Sequence, residues 1–317
     1  MDNMDSSLND IESVLENRAA IIEGRLNTLT YVIEPSSLAE VVRYALAQKG
    51  KRIRSTLLTL SCEAVGGDLE RAIVPAMTVE MLHNTSLILD DIIDASETRR
   101  GKATINSRWG NDMALIACDV MLSLAIRETT RSDLGLTKPM IECVADSMLR
   151  LAEGEAMELE KRCFTLNDYY RIADKKTASL FSSAAESGAL VGGGDAAQVK
   201  ALKQYGRNLG LAFQIRDDIL DFTASTEHLG KPTFLDLRMG RPTFVMILAT
   251  SNGLSREKML SMDKDELLGA LQPYIDKAGS ISASKAAEAR RSLKNIPDSV
   301  AKHRLGALCD YVVARTK

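Results

Sequence analysis

Three aspartates stand in the pattern D-D-x-x-D at Asp90, Asp91 and Asp94, within "LILDDIIDASETRRGK", and the pattern returns at Asp217, Asp218 and Asp221, within "QIRDDILDFTASTEHLGK". On a helix, at about 100° per residue, each set of three carboxylates gathers on one side of the wheel. Ile88, Leu89, Ile92 and Ile93 fill the opposite arc of the first motif, and Ile215, Ile219 and Leu220 that of the second. Like charges one turn apart repel by roughly 0.2–0.5 kcal/mol per pair. Asp is also a poorer interior helix former than Glu, so an ordinary solvated face would favour Glu. The positions four residues after Asp90, Asp91 and Asp94 are Asp94, Ala95 and Thr98, none of them basic. Carboxylate oxygens without His or Cys suit a hard cation such as Mg²⁺, which binds one or two carboxylates together with waters and phosphate oxygens. Two triads facing each other across a cavity would hold a polyphosphate through several such ions, and that would offset the repulsion.

Permanent cations stand close to the turn signals. "KGKRIR" carries Lys51, Arg52 and Arg54; "TRRGK" carries Arg99, Arg100 and Lys102; "DKKTA" carries Lys175 and Lys176; "GKPTFLDLRMGR" carries Lys231, Arg238 and Arg241. A basic run is ordinarily a solvated face. Arg99 and Arg100 differ in following the first triad directly, and a guanidinium fork suits bidentate phosphate binding. His83 lies two turns ahead of Asp90 on a nearby part of the wheel, whereas nothing comparable attaches to His228 or His303.

The elements that must carry these groups are helical. The chain is 45% hydrophobic but only 4% aromatic, and β-branched and aromatic runs are scarce, which disfavours sheets. Apolar-periodic stretches alternate with turns such as "EPSS", "VGGD", "VGGGD", "MGRPT" and "NIPDS", predicting ten or more helices and no convincing strand. "VGGD" and "VGGGD" read as a C-capping glycine followed by an N-capping Asp68 or Asp195, with no Lys-Ser/Thr to make a phosphate loop. No Pro-, Gly- or Ser-rich linker divides the chain, so residues 1–317 are read as one all-α domain, with residues 1–8 allowed to be disordered. A net charge of −3 offers no general attraction to nucleic acid. No stretch is expected to span a membrane, and the acidic start "MDNMDSSLND" has no targeting character. Cys62, Cys118, Cys143, Cys163 and Cys309 stand far apart and are expected to be free thiols in a reducing cytoplasm.

Taken in order, "KGKRIR", "MLHNTSLILDDIIDASETRRGKAT", "GNDMALIACDVMLSLA", "DYYRIADKKTASLF", "LGLAFQIRDDILDF" and "GKPTFLDLRMGRPTF" resemble the trans-isoprenyl (polyprenyl) diphosphate synthases over nearly the whole chain. The resemblance implies a single large bundle of antiparallel helices around a deep central cavity, usually as a homodimer. It implies that Asp90 and Asp94, supported by Asp91, join Asp217, Asp218 and Asp221 in holding about three Mg²⁺ ions on an allylic prenyl diphosphate. Arg99, Lys176, Lys231 and Arg241 would grip that diphosphate; Lys51, Arg54, His83 and Arg100 would hold isopentenyl diphosphate; Thr177 and Gln214 would line the reacting centre. The implied reaction is loss of diphosphate to leave an allylic cation, attack by the isopentenyl double bond, and loss of a proton to the released diphosphate.

Four positions depart from the family pattern. Ser55 replaces a common Pro, Phe234 a usual Gly, Arg241 a usual Lys and Val245 a usual Pro; Phe234 adds bulk to a loop near the site. In the family, bulky aromatics five and four residues before the first Asp close the tunnel at fifteen or twenty carbons. Here those positions are Thr85 and Ser86, so Met81 or Leu82, one turn further down, become the candidate floor. The implied product is one of twenty-five carbons or more, with geranylgeranyl or farnesyl diphosphate as the rival. A class I terpene cyclase would lack the second D-D-x-x-D and the Lys51/Arg54 element, and a regulatory subunit would be expected to lose an acidic motif. A helical scaffold with charged faces leaves the matched triads unexplained.

Overall fold

The computed structural model describes residues 2–48, 50–132, 137–160, 165–224 and 234–315. Helix α1 (Asp2–Leu29) begins inside the stretch that was allowed to be disordered, and is followed by α2 (Ser36–Leu46), α3 (Ile53–Ala64) and α4 (Leu69–Ile93). A short antiparallel pair, β1 (Thr98–Arg99) and β2 (Lys102–Ala103), leads to α5 (Ile105–Trp109), α6 (Asn111–Arg131) and α7 (Thr137–Glu160). Helix α8 (Leu166–Ala173) continues through a π-helical segment, Asp174–Ala178, into α9 (Ser179–Val191) and then α10 (Ala196–Thr223). Helices α11 (Leu235–Met239), α12 (Phe244–Ser251), α13 (Arg256–Ser261), α14 (Lys264–Ser292) and α15 (Val300–Ala314) complete the described residues. The all-α expectation holds; the one ladder among the described residues is two residues long on each side.

Side-chain caps fix the helix starts. Asp68 accepts a hydrogen bond from the Arg71 amide, and Asp195 forms a reciprocal capping box with Gln198, as the two glycine-Asp turns predict. Helix α10 forms the spine, packing on α9, α14 and α15; α3 lies against α9 and α4, and α4 against α6. Close approach of α9 to α3 depends on Gly188, where a Cβ would stand 2.2 Å from the Leu58 carbonyl oxygen.

Helix α4 bears on the expectation that no stretch spans a membrane. Its 25 residues are long and apolar enough to cross a bilayer, but 78% of the apolar window is buried inside the protein, because the helix packs on α3, α6 and α9. A correction concerns Ile93, which is 43% exposed although it belongs to the apolar arc. The helix ends there, and Asp94 caps it. A groove of about 450 Å³ opens beside Tyr170, Asn208 and Leu211, but none of the predicted site residues lines it.

Candidate active site

The two acidic motifs occupy the C-terminal ends of α4 and α10, and basic side chains bridge them. Arg241 pairs with Asp94 and lies 3.7 Å from Asp236, whose amide donates to Asp221 at 3.3 Å. Lys176 stands 3.7 Å from Asp90, while its neighbour Thr177 donates to Gln214 Oε1 at 2.5 Å and Gln214 Nε2 donates to Asp218 at 2.9 Å. The neutralisation missing along each helix is therefore supplied across helices. Lys231 and His228 lie outside the described residues.

Burial governs the charges of this cluster. It raises Asp90 and Asp91 above the usual carboxylate range, against the pull of nearby Lys176 and Arg99. Asp218 is 6% exposed, and burial pushes it up to about 7 despite hydrogen bonds from the Phe244 amide at 2.7 Å and from Gln214. Carboxylate oxygens suit hard divalent cations by chemistry, but among the described residues no three Asp, Glu, His or Cys side chains are gathered closely enough to form a metal site. Burial would lower Lys176, but Asp90 and two carboxylates of α7 outweigh it and hold the ammonium charged: Glu158 at 2.6 Å and Glu155 at 2.5 Å. Sequence reasoning missed this α7 pair, whose only signal is an acidic i,i+3 spacing that a solvated face would also show.

The hairpin between β1 and β2 separates its two arginines. Arg100 and Gly101 both take positive φ, 53° and 74°, as a two-residue type I′ turn requires. Arg99 turns back onto the buried Asp91, its Nε 2.9 and 3.0 Å from the two carboxylate oxygens. Arg100 reaches the other way, and Gly50 makes room for it: a Cβ there would meet Arg100 Nη1 at 2.6 Å.

Around Arg100 lies the second cationic group. Arg54 is half-buried over the rings of Phe181 and Phe213 and lies 3.2 Å from His83 Nε2; burial lowers it to about 10. Burial, followed by the charges of Arg54 and Arg100, pushes His83 well below its ordinary value, so its ring is neutral and accepts from Arg54. Lys51 stands 4.9 Å above the Tyr311 ring. Arg315, absent from the sequence-based site, lies 2.9 Å from Asp217.

Two members of the sequence clusters do not belong to the site. Arg52 is only 5% exposed and ion-paired with Glu80 and Glu23, because its turn folds it inward. Lys175 points away to Glu153, because consecutive residues of a helical segment diverge. Ser55 explains its own departure from Pro by donating its amide to Glu80 at 3.3 Å, which a proline could not do. Phe234 adopts φ +60°, the conformation a glycine takes freely, and its ring is buried against Phe222. Its bulk therefore goes into the core.

Along α4, Thr85, Ser86, Met81 and Leu82 are all buried, and the Thr85 and Ser86 hydroxyls are turned onto the carbonyls of Met81 and His83. Cys118 of α6 packs at the Thr85 carbonyl. Cys62, Cys118 and Cys309 are buried free thiols and Cys143 is half-buried; Cys163 lies outside the described residues. Burial pushes Cys62, Cys118 and Cys309 up to about 12 and Cys143 up to about 11.

The chain is 32% identical over 321 residues to the short chain isoprenyl diphosphate synthase of Methanothermobacter thermautotrophicus, an alignment covering 96% of this chain and 99% of that protein. Its fold matches the crystal structure of geranylgeranyl pyrophosphate synthetase from Pyrococcus horikoshii with a TM-score of 0.90 at 33% identity, over 97% of this chain and 99% of that one. It also matches polyprenyl synthase from Caulobacter crescentus, crystallised with calcium and isoprenyl diphosphate, with a TM-score of 0.84 at 27% identity, over 99% of this chain and 98% of that one. The model of the polyprenyl synthetase family matches residues 35–266, which take in both acidic motifs and the cationic groups around them, and the chain belongs to that family.

Proposed function

We propose that the protein is an isoprenyl diphosphate synthase that joins isopentenyl diphosphate to an allylic prenyl diphosphate, making an all-trans product of twenty-five carbons or more. The observation that carries this reading is the bridging of the two acidic motifs by Lys176, Thr177 and Arg241. Asp90, Asp94, Asp217, Asp218 and Asp221 would hold magnesium, which would supply Lewis-acid stabilisation of the departing diphosphate. The all-oxygen donor set supports a hard cation, and calcium in the Caulobacter crescentus structure agrees with it.

The protein's own groups divide the remaining work. Lys176, Arg99 and Arg241, with Lys231, meet charge that grows on the leaving oxygens as the allylic carbon–oxygen bond breaks. Asp91 acts by holding the Arg99 fork. Lys51, Arg54, Arg100 and neutral His83 bind the second diphosphate, while Thr177 and Gln214 sit between Lys176 and Asp218 at the reacting centre. The isopentenyl double bond attacks the allylic cation, and the proton lost from the adduct goes to the released diphosphate. The buried surroundings exclude water that would capture the cation.

Small side chains at Thr85 and Ser86 favour the longer product. A geranylgeranyl product is the second reading, favoured by the similarity to the Pyrococcus horikoshii enzyme. We read the chain as one domain that works as a homodimer in the cytoplasm. Incubation with radiolabelled isopentenyl diphosphate and dimethylallyl, geranyl, farnesyl or geranylgeranyl diphosphate, with Mg²⁺ or EDTA, tests the whole proposal. A Mg²⁺-dependent ladder ending at one length is expected; no labelled prenyl product from any primer overturns it.

A further inference from the structure

Arg52 stands between Lys51 and Arg54 in sequence yet is buried where both of them are half-buried. Its backbone takes the left-handed conformation, φ 47°, immediately before α3. That places its side chain in the interior, where each face of the guanidinium fork is used. Nη1 lies 2.9 Å from Glu80 of α4, Nε 3.1 Å from Glu23 of α1, and Nη2 donates to the Leu46 and Gln48 carbonyls at 2.8 and 3.1 Å. Glu80, 1% exposed, uses its other oxygen to accept the Ser55 amide.

One side chain thus fastens the end of α2, the start of α3, α1 and α4 around a single turn. Lys51 precedes it directly and Arg54 follows two residues on, in the first turn of α3, and the helix holding Glu80 also carries His83, three residues on. Burial would lower Arg52, but Glu80 and Glu23 outweigh it and keep the guanidinium charged. A lysine could not replace it, since an ammonium is a point donor and cannot span two carboxylates and two carbonyls in diverging directions.

We infer that Arg52, locked by Glu80, is a positioning residue for isopentenyl diphosphate: it sets the turn that aims Lys51 and Arg54 at that diphosphate and touches no substrate itself. This rests on the assignment of Lys51, Arg54, Arg100 and His83 to the isopentenyl subsite. It predicts that damage at Arg52 appears in the use of one substrate and not the other.

The test measures KM for isopentenyl diphosphate and for the allylic primer separately, together with Tm, in Arg52→Lys, Arg52→Met, the double variant Arg52→Met/Glu80→Met, and Arg54→Met. Arg52→Lys is expected to raise KM for isopentenyl diphosphate about tenfold and leave the allylic KM unchanged. The double variant, which buries no lone charge, is expected to recover the Tm lost in Arg52→Met while keeping the raised KM. If KM recovers together with Tm, or never rises in folded Arg52→Lys while Arg54→Met raises it, Arg52 only stabilises the fold and the inference fails. If Arg54→Met also leaves KM for isopentenyl diphosphate unchanged, the subsite assignment itself fails and the inference falls with it.

Discussion

Lys176 Nζ lies 2.6 Å from Glu158 Oε2, so the ammonium facing the first acidic motif is held from behind by α7. Substitution Lys176→Ala is expected to lower kcat by about 10²–10³. Glu158→Gln loosens the hold without removing the cation, so its loss of kcat is smaller than that of Lys176→Ala. Steady-state rates for both variants at saturating isopentenyl diphosphate check the order; an equal loss would make Glu158 a direct participant.

Removing a carboxylate from either motif is expected to weaken the proposed metal binding. Asp90→Asn and Asp217→Asn are each expected to raise the Mg²⁺ concentration giving half-maximal rate and to lower kcat by about 10² or more. Calorimetry of Mg²⁺ with inorganic pyrophosphate reads the binding defect apart from turnover. Unchanged Mg²⁺ dependence in both variants would contradict the donor set.

Product length reads the α4 wall. Thr85→Phe and Ser86→Phe place a ring where small buried hydroxyl side chains now sit, and the product is expected to shorten by one or more five-carbon units. Met81→Ala is expected to lengthen it. Chromatography of dephosphorylated products measures both, and a Thr85→Phe product of the same length would remove this wall from the tunnel.

His83 makes a pH prediction with a definite sign. Its value in the fold lies well below the ordinary 6.5, because of burial and of Arg54 beside it. Between the two values the unfolded chain takes up a proton that the folded chain refuses. Stability from this group is therefore complete above about pH 6.5 and falls as pH drops below it, by up to about 1.4 kcal/mol per pH unit. Denaturant titrations from pH 7 to 5.5 should show a shallower loss in His83→Gln than in the parent. Parallel curves would show that His83 does not carry the dependence.

Gly188 has no room for a methyl group, since its Cβ would press on the Leu58 carbonyl and on Ser61. Gly188→Ala is expected to destabilise the protein by about 1–3 kcal/mol, read as a lowered Tm. Gly269→Ala, in open space on α14, serves as the comparison.

The helices, the Asp68 and Asp195 caps and both triads were legible because each depends on local spacing. Arg52 was not, since nothing in "KGKRIR" says that one of three cations folds inward; that follows from a left-handed turn and from Glu80 on another helix. Glu155 and Glu158 were hidden for a similar reason, as acidic positions on a helix look solvated until Lys176 is seen against them. Arg315 reaches Asp217 only because α15 runs back along α3 and α10. The Ile93 misreading came from extending a periodic pattern to the last residue of its helix, where burial against neighbours ends.

The π-helical segment Asp174–Ala178 sets the phase of the run that carries Lys176 and Thr177. Its i→i+5 ladder takes in one residue more than an α-helix of the same rise. Winding the same residues as ordinary α-helix would turn α8 relative to α9 by about 100°, whereas deleting one residue would let the ladder close as α-helix with the flanks still in phase. The buried face of α8 (Tyr169, Ile172, Ala173) and that of α9 (Leu180, Phe181, Ala184) are indexed to each other by that extra residue. Lys176 at Asp90 and Thr177 at Gln214 depend on the same indexing. The segment works as a one-tooth offset between two gears: substitutions within it are absorbed side chain by side chain, but rewinding it as α-helix with every residue kept puts every tooth out of mesh at once.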